Sequence, residues 1–167
     1  ENGNIPWINS GELNNPFIIS TENFITEDGM KNSSAKLFPK DSILMAMYGA
    51  TAGKVSFLKI EATTNQAICA LIPQKSEYKY YLKFCLENLY GYLVNLSSGS
   101  ARDNLSQEKI KKLTVAFPSG EKLRDFDSLV SPLFEKLYYN SQQNQQLSQL
   151  RNWLLPMLMN GQIKFVK

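Results

Sequence analysis

The chain has 167 residues, 43% of them hydrophobic and 20% charged, with a net charge of +3. That is enough for one well-cored domain plus an appendage, and the mild basic excess permits nucleic-acid binding without arguing for it. Histidine is absent, which excludes Ser-His-Asp or Cys-His catalysis and any His-bearing metal site, and two cysteines cannot build a four-thiolate zinc site.

Cys69 and Cys85 each lie in an apolar run and read as buried, reduced core residues, which points to the cytoplasm. No apolar run approaches the roughly 20 residues of a membrane helix, so no membrane partner is expected. The polar start Glu1–Asn4 is not a signal peptide. The absence of an initial Met and the abrupt approach to Ile5 fit a fragment cut inside a domain.

In chain order, Ile43 to Tyr48 reads as a buried strand ending at Gly49, and Lys54 to Leu58 as the next. Ala67 to Ile72 reads as a third, stopped by Pro73. Lys79 to Leu96 carries Tyr81, Leu82, Cys85, Leu86, Leu89 and Leu93 at helical spacing and predicts one core helix. Ser97–Ser100 reads as a loop. Ser106 reads as the N-cap of a short helix with Glu108 in its first turn. Leu113 to Phe117 reads as a last strand, closed by Pro118.

The pattern changes at Glu121. Phe126, Val130, Leu133, Leu137, Asn140, Asn144, Leu147, Arg151, Leu154 and Leu158 recur at alternating four- and three-residue spacing, a heptad seam with a polar centre. Leu150 competes for a seam position near the end, and Pro132 either kinks the helix or shifts its start. Gly161 supplies a stop. Such a helix exposes a leucine stripe and needs a second helix; asparagine at core positions fixes register and partner number. At 1.5 Å per residue, about 35 helical residues span about 50 Å, roughly one and a half turns of B-DNA.

Gly49-Ala50-Thr51-Ala52-Gly53-Lys54-Val55 resembles a phosphate-binding loop only superficially. The glycine spacing is one residue short, Val55 replaces the Mg²⁺-binding hydroxyl, and a strand follows where a helix is required. It reads either as a tight turn between strands or as a loop whose amides and Lys54 approach DNA. Paired catalytic carboxylates are not evident: Glu12, Glu22, Glu27, Asp28 and Asp41 sit in polar, loop-like settings. Amide, hydroxyl and basic residues gather instead in the expected loops, at Asn9-Ser10, Lys36, Thr63–Gln66 and Ser100–Asn104. Arg suits guanine and Asn or Gln suits adenine, each through two parallel hydrogen bonds.

In order and spacing, several segments resemble the specificity (S) subunit of type I restriction-modification systems. They are Gly3–Leu13, Ser42 through Val55, Thr64–Ala67, Gly99–Ser106 ahead of Val115–Pro118, and Leu150–Ile163. The resemblance covers nearly the whole chain. It implies an α/β (mixed, β-rich) target recognition domain over 1–120, its N-terminal part missing. A long coiled-coil α-helix over 121–160 and a tail over 161–167 would follow. Such subunits carry two such domains, whose helices pair antiparallel as a ruler, so the resemblance implies the C-terminal half of a subunit. Pro118-Ser119-Gly120-Glu121-Lys122 departs from the family's Pro-Pro-x-x-Glu-Gln pattern at the helix entry.

The implied partners are double-stranded DNA, modification (methyltransferase) subunits, restriction subunits, and a second recognition half or a self-dimer through the helix. The chain is then no enzyme, needs no cofactor and holds no metal. The DNA-facing set read from the loops is Trp7, Asn9, Ser10, Lys36, Tyr48, Thr51, Lys54, Gln66, Ser100, Arg102 and Asn104, with Arg102 on a base and Lys54 on a phosphate. The pairing set is Phe126, Val130, Leu133, Leu137, Asn140, Asn144, Leu147 and Leu154. The alternatives are a coiled-coil assembly protein whose globular domain binds another protein, and a nucleotide-dependent enzyme built on the Gly49 loop.

Overall fold

A computed structural model describes residues 3–98 and 105–163. The chain divides into two compact units, residues 1–130 and 131–167.

In the first unit, β1 (Ile5–Ile8), β2 (Phe17–Ile18) and β3 (Phe24–Ile25) come first, then a one-turn helix α1 (Glu27–Lys31). Thr26 caps α1 by accepting the Gly29 N–H at 3.0 Å. The strands β4 (Ile43–Ala46), β5 (Val55–Leu58), β6 (Thr63–Thr64) and β7 (Ile68–Leu71) follow. They form two small sheets, ordered β3-β1-β6 and β2-β5-β4-β7. β4 is antiparallel to β5 and β7, while β1–β6 and β2–β5 are parallel pairs.

The unbroken apolar run of β4 follows from its position, because both of its faces are covered. Leu44 and Ala46 join Ile8, Ile18, Leu58, Ala62 and Ile68 in one core cluster. Ile43 lies on the opposite face beside Phe57, its register partner in β5. The Phe57 ring meets Tyr80 edge-on at 5.5 Å, which seals that face with α2 (Lys79–Asn88). The three expected strands are present, with the ends trimmed by a residue or two.

Two expected elements are corrected. The single helix over 79–96 is two: α2 ends at Asn88, with Leu89 as its C-cap, and α3 runs Tyr90–Ser98. The break sets Tyr90 and Leu93 against the turn at Gly53, where an added Cβ would lie 3.3 Å from the Tyr90 ring and 3.4 Å from Leu93 Cβ. Among the described residues the run Leu113–Phe117 is not a strand, since it enters none of the strand pairings. Alternation makes a segment competent for a sheet; only a partner makes it a strand. Cys69 and Cys85 are half-buried rather than fully buried. Burial pushes the Cys69 thiol above its ordinary value, with Lys111 pulling weakly the other way.

The expected short helix is α4 (Gln107–Lys111), capped by Ser106, whose hydroxyl accepts the Lys109 N–H at 3.3 Å. The long helix is α5 (Gly120–Met159), which continues through Pro132 and Pro156. Its start is therefore not displaced by Pro132. It stops at Gly161, φ +69°: the Gly161 N–H bonds the Leu158 carbonyl and the Gln162 N–H bonds the Met157 carbonyl, closing the helix end through a left-handed residue.

Candidate nucleic-acid interface

The finishing ends of β1, β4 and β6 come together, and the loops that leave them carry most of the expected contact residues. After β1 the chain enters a 3₁₀ turn, Ser10–Glu12. Its entry is fixed by Glu12, whose carboxylate accepts the Asn9 N–H at 2.8 Å. After β4 it enters a second 3₁₀ turn, Gly49–Thr51, which lies beside the first. Gly49 (φ +71°) and Gly53 (φ +81°) supply the left-handed conformations this tight connection requires. The segment is the tight turn of the two readings, and a strand follows it.

Two side-chain hydrogen bonds tie the loops together. Asn65, after β6, donates its amide to Asn9 Oδ1 at 3.3 Å. Lys54, at the start of β5, donates to Asn14 Oδ1 at 2.6 Å, and Asn14 in turn donates to the Gly11 carbonyl at 2.8 Å. Tyr48 and Ser10 are half-buried at this end and Gln66 is exposed. Leu105 returns the chain to the same place, its N–H bonding the Met47 carbonyl at 2.8 Å.

Asn9, Ser10, Tyr48, Lys54 and Gln66 thus form one group. Trp7 is half-buried within β1, beside Thr63 in register. Thr51 faces inward and is 8% exposed, because it closes the turn by accepting the Lys54 N–H through its carbonyl. Lys36 belongs elsewhere: it leads into Phe38, bridged to Ala62, and Asp41, bonded to the Leu58 carbonyl, at the starting end of β4. Ser100, Arg102 and Asn104 lie outside the described residues. Asn14 escaped the sequence reading because 40 positions separate it from Lys54; its only signal is the Asn14-Asn15-Pro16 turn composition.

Away from this end, Asp41 receives Lys59 at 2.8 Å and Lys79 at 2.9 Å. Burial raises the Asp41 carboxyl, but the two lysine hydrogen bonds outweigh it and hold the group below its ordinary value. Asp41 also adopts φ +65°, a left-handed conformation that Asp tolerates better than most residues. The triad ties the loop before β4 to the end of β5 and the start of α2, and has the character of a structural clamp. Among the described residues no group of three or more His, Cys, Asp or Glu side chains could hold a metal ion.

On α5, Phe126 faces the Tyr81 ring at 6.0 Å and the Phe84 ring at 6.1 Å, so its ring is engaged within the first unit. In the second unit Leu133, Leu137, Asn140, Asn144 and Leu147 are exposed and Leu154 is half-buried. Leu150, Trp153, Leu155 and Met159 are exposed as well, so the apolar surface broadens toward the helix end.

The model of the type I restriction modification DNA specificity domain matches residues 1–149. The chain belongs to that family. It is 33% identical over 163 residues to the type I restriction enzyme HindI specificity subunit of Haemophilus influenzae, covering 95% of this chain and 35% of that protein. It is 28% identical over 167 residues to the MjaIX specificity subunit of Methanocaldococcus jannaschii, covering 98% and 39%. Specificity-domain folds among solved structures agree. The S subunit from M. genitalium superposes with a TM-score of 0.64 at 20% identity, over 93% of this chain and 38% of that one. The HsdS subunit from Thermoanaerobacter tengcongensis gives 0.59 at 13%, over 98% and 39%. The chain thus spans somewhat more than a third of the length of these specificity subunits. Among the described residues no helix is long and apolar enough to cross a membrane.

Proposed function

We propose that this chain reads one half of a two-part DNA target as a specificity component of a type I restriction-modification complex. The observation that carries the reading is the loop group at the finishing ends of β1, β4 and β6. It gathers the amides of Asn9, Asn14, Asn65 and Gln66 with the Lys54 ammonium on a member of the specificity-domain family. Amides suit paired hydrogen bonds to adenine, and a lysine suits a backbone phosphate. Arg102 is assigned to a base edge on the strength of its residue type and its place in the sequence.

In this reading residues 1–120 recognise DNA. Residues 121–160 pair through Val130, Leu133, Leu137, Asn140, Asn144, Leu147 and Leu154 with a second helix, from another copy or another recognition half. Methylation and cleavage, with their cofactors, belong to modification and restriction subunits docked on this scaffold in the cytoplasm. The chain itself performs no catalysis.

The test is sedimentation of the 167-residue chain together with selection from a random duplex pool. A dimer that enriches a two-part site with a fixed gap is expected. A dimer that enriches no sequence overturns DNA reading in favour of an assembly role, and a monomer that enriches a single short site overturns self-pairing alone.

A further inference from the structure

The free edge of β7 and the run Leu113–Phe117 line one apolar slot from opposite sides, over a floor made by α2. β7 is the outermost strand of its sheet. Its register with β4, and the bond from the Met47 N–H to the Ala67 carbonyl, aim the main-chain groups of Cys69 and Leu71 at β4. Those of Ala70 therefore point to the free edge. Across the slot, among the described residues, the N–H groups of Thr114, Val115, Ala116 and Phe117 meet no acceptor, and the Ala116 carbonyl takes only the Tyr81 hydroxyl.

Two cavities of about 400 and 430 Å³ fill the gap and share Leu82 and Phe117. Leu71 and Leu113 line one, Ile72 and Leu123 the other. At the mouth Ile72 and Phe117 are exposed. An occupant must therefore bring apolar side chains and also main-chain donors and acceptors along both of its edges. A helix spends its main-chain groups internally, and a DNA duplex offers no apolar side chains. An extended peptide strand supplies both. The Leu113 end is flanked by exposed Lys111 and Lys112, which calls for a carboxylate there.

We propose that this slot takes an extended apolar strand from polypeptide outside residues 1–167, with an acidic residue at the Leu113 end, which joins β7 to the Leu113–Phe117 run. The specificity subunits similar to this chain carry most of their length outside the matched region, so such polypeptide accompanies the domain in those relatives. The inference stands on the slot's own geometry and goes beyond the DNA reading.

The experiment is amide hydrogen exchange on the 167-residue chain, alone and with the probe acetyl-Asp-Val-Thr-Val-Thr-Val-amide. Alone, the amides of Thr114–Phe117 exchange as open groups. The probe slows the alternate ones that face it, together with the amide of Ala70, by about tenfold or more. Methylating alternate main-chain nitrogens of the probe abolishes the protection. The doubly substituted Lys111→Glu, Lys112→Glu chain, altered only at exposed positions, needs about tenfold more probe. Protection of these amides in the chain alone overturns the proposal, and so does equal protection by the methylated probe. Protection that appears only with rising chain concentration assigns the slot to a second copy, and protection by a DNA duplex assigns it to nucleic acid; either overturns the proposal as well. Loss of DNA selection leaves these readouts unaffected, so the two proposals fail separately.

Discussion

In residues 3–130, Leu13, Leu44, Leu58, Leu86 and Leu105 are each at most 2% exposed, whereas Leu133, Leu137 and Leu147 of the second unit stand 62%, 52% and 63% exposed. The same residue type holds the first unit together by itself and leaves the second with an apolar stripe in solvent. The first unit has two sheets and α2 to cover its strands; the helical stretch after residue 130 leaves a heptad-spaced apolar stripe exposed, the kind of pattern that suits a second helix. The proposed pairing would thus fall to leucines other than those that fill the first unit's core.

The comparison breaks most severely at Leu44. Leu44→Ala removes a fully buried side chain from the cluster of Ile8, Ile18 and Leu58 and should cost about 2–5 kcal/mol; a urea titration followed by circular dichroism reads it. Leu137→Asp places a charge on the exposed stripe. It should weaken self-association at least about tenfold while leaving the thermal midpoint of the first unit unchanged. Sedimentation and a thermal melt separate the two effects, and an unchanged mass distribution removes the case for the seam.

Asp41→Asn tests a contact inside the first unit and keeps a residue that tolerates the left-handed backbone. It should cost about 1–2 kcal/mol at neutral pH, a value reduced because the carboxylate is partly exposed. The folded-state value of Asp41 is depressed, so its contribution is present above the unfolded carboxylate value near about 4. It fades as pH falls through the lower folded value. Lys79 has the opposite sign. Burial lowers its value, but the Asp41 hydrogen bond and charge outweigh that and raise it, so its contribution disappears only in strong alkali. The stability gap between parent and variant should be flat across neutral pH and should close below about pH 4; melts over a pH series measure it.

The smallest expected effect is the most diagnostic for function. Lys54→Ala should weaken binding to every duplex by a similar few-fold factor and reduce the salt slope by about one. Arg102→Ala should instead relax selectivity at one base pair by about 1–3 kcal/mol. Binding isotherms over a salt series on matched and mismatched duplexes distinguish them. If Arg102→Ala behaves like Lys54→Ala, the assignment of base and phosphate roles is wrong.

The local signals were strong where one segment sufficed to specify an outcome. The apolar run of β4, the cap at Ser106, the turn between Gly49 and Gly53, and the stop at Gly161 all depend on neighbours within a few residues, and each is legible in the chain. The heptad spacing likewise announces α5, since helical periodicity is a property of one segment. The misjudged features depend on contacts distant in sequence. Leu113–Phe117 alternates like a strand, yet among the described residues no strand pairs with it to accept its amides. The continuous pattern from Lys79 to Leu96 hides a break at Leu89 that sets Tyr90 and Leu93 on Gly53. Thr51 looks available in a loop, but in the turn it is 8% exposed, and Lys36 lies toward the starting end of β4 rather than with the loop group at its finishing end. Asn14 reaches Lys54 only after β2 pairs with β5, and Asn65 reaches Asn9 only after β1 pairs with β6. Residue types and spacing determined the elements and the family; which polar side chains share one surface was decided by strand order and register, because those bring together loops that the chain keeps tens of residues apart.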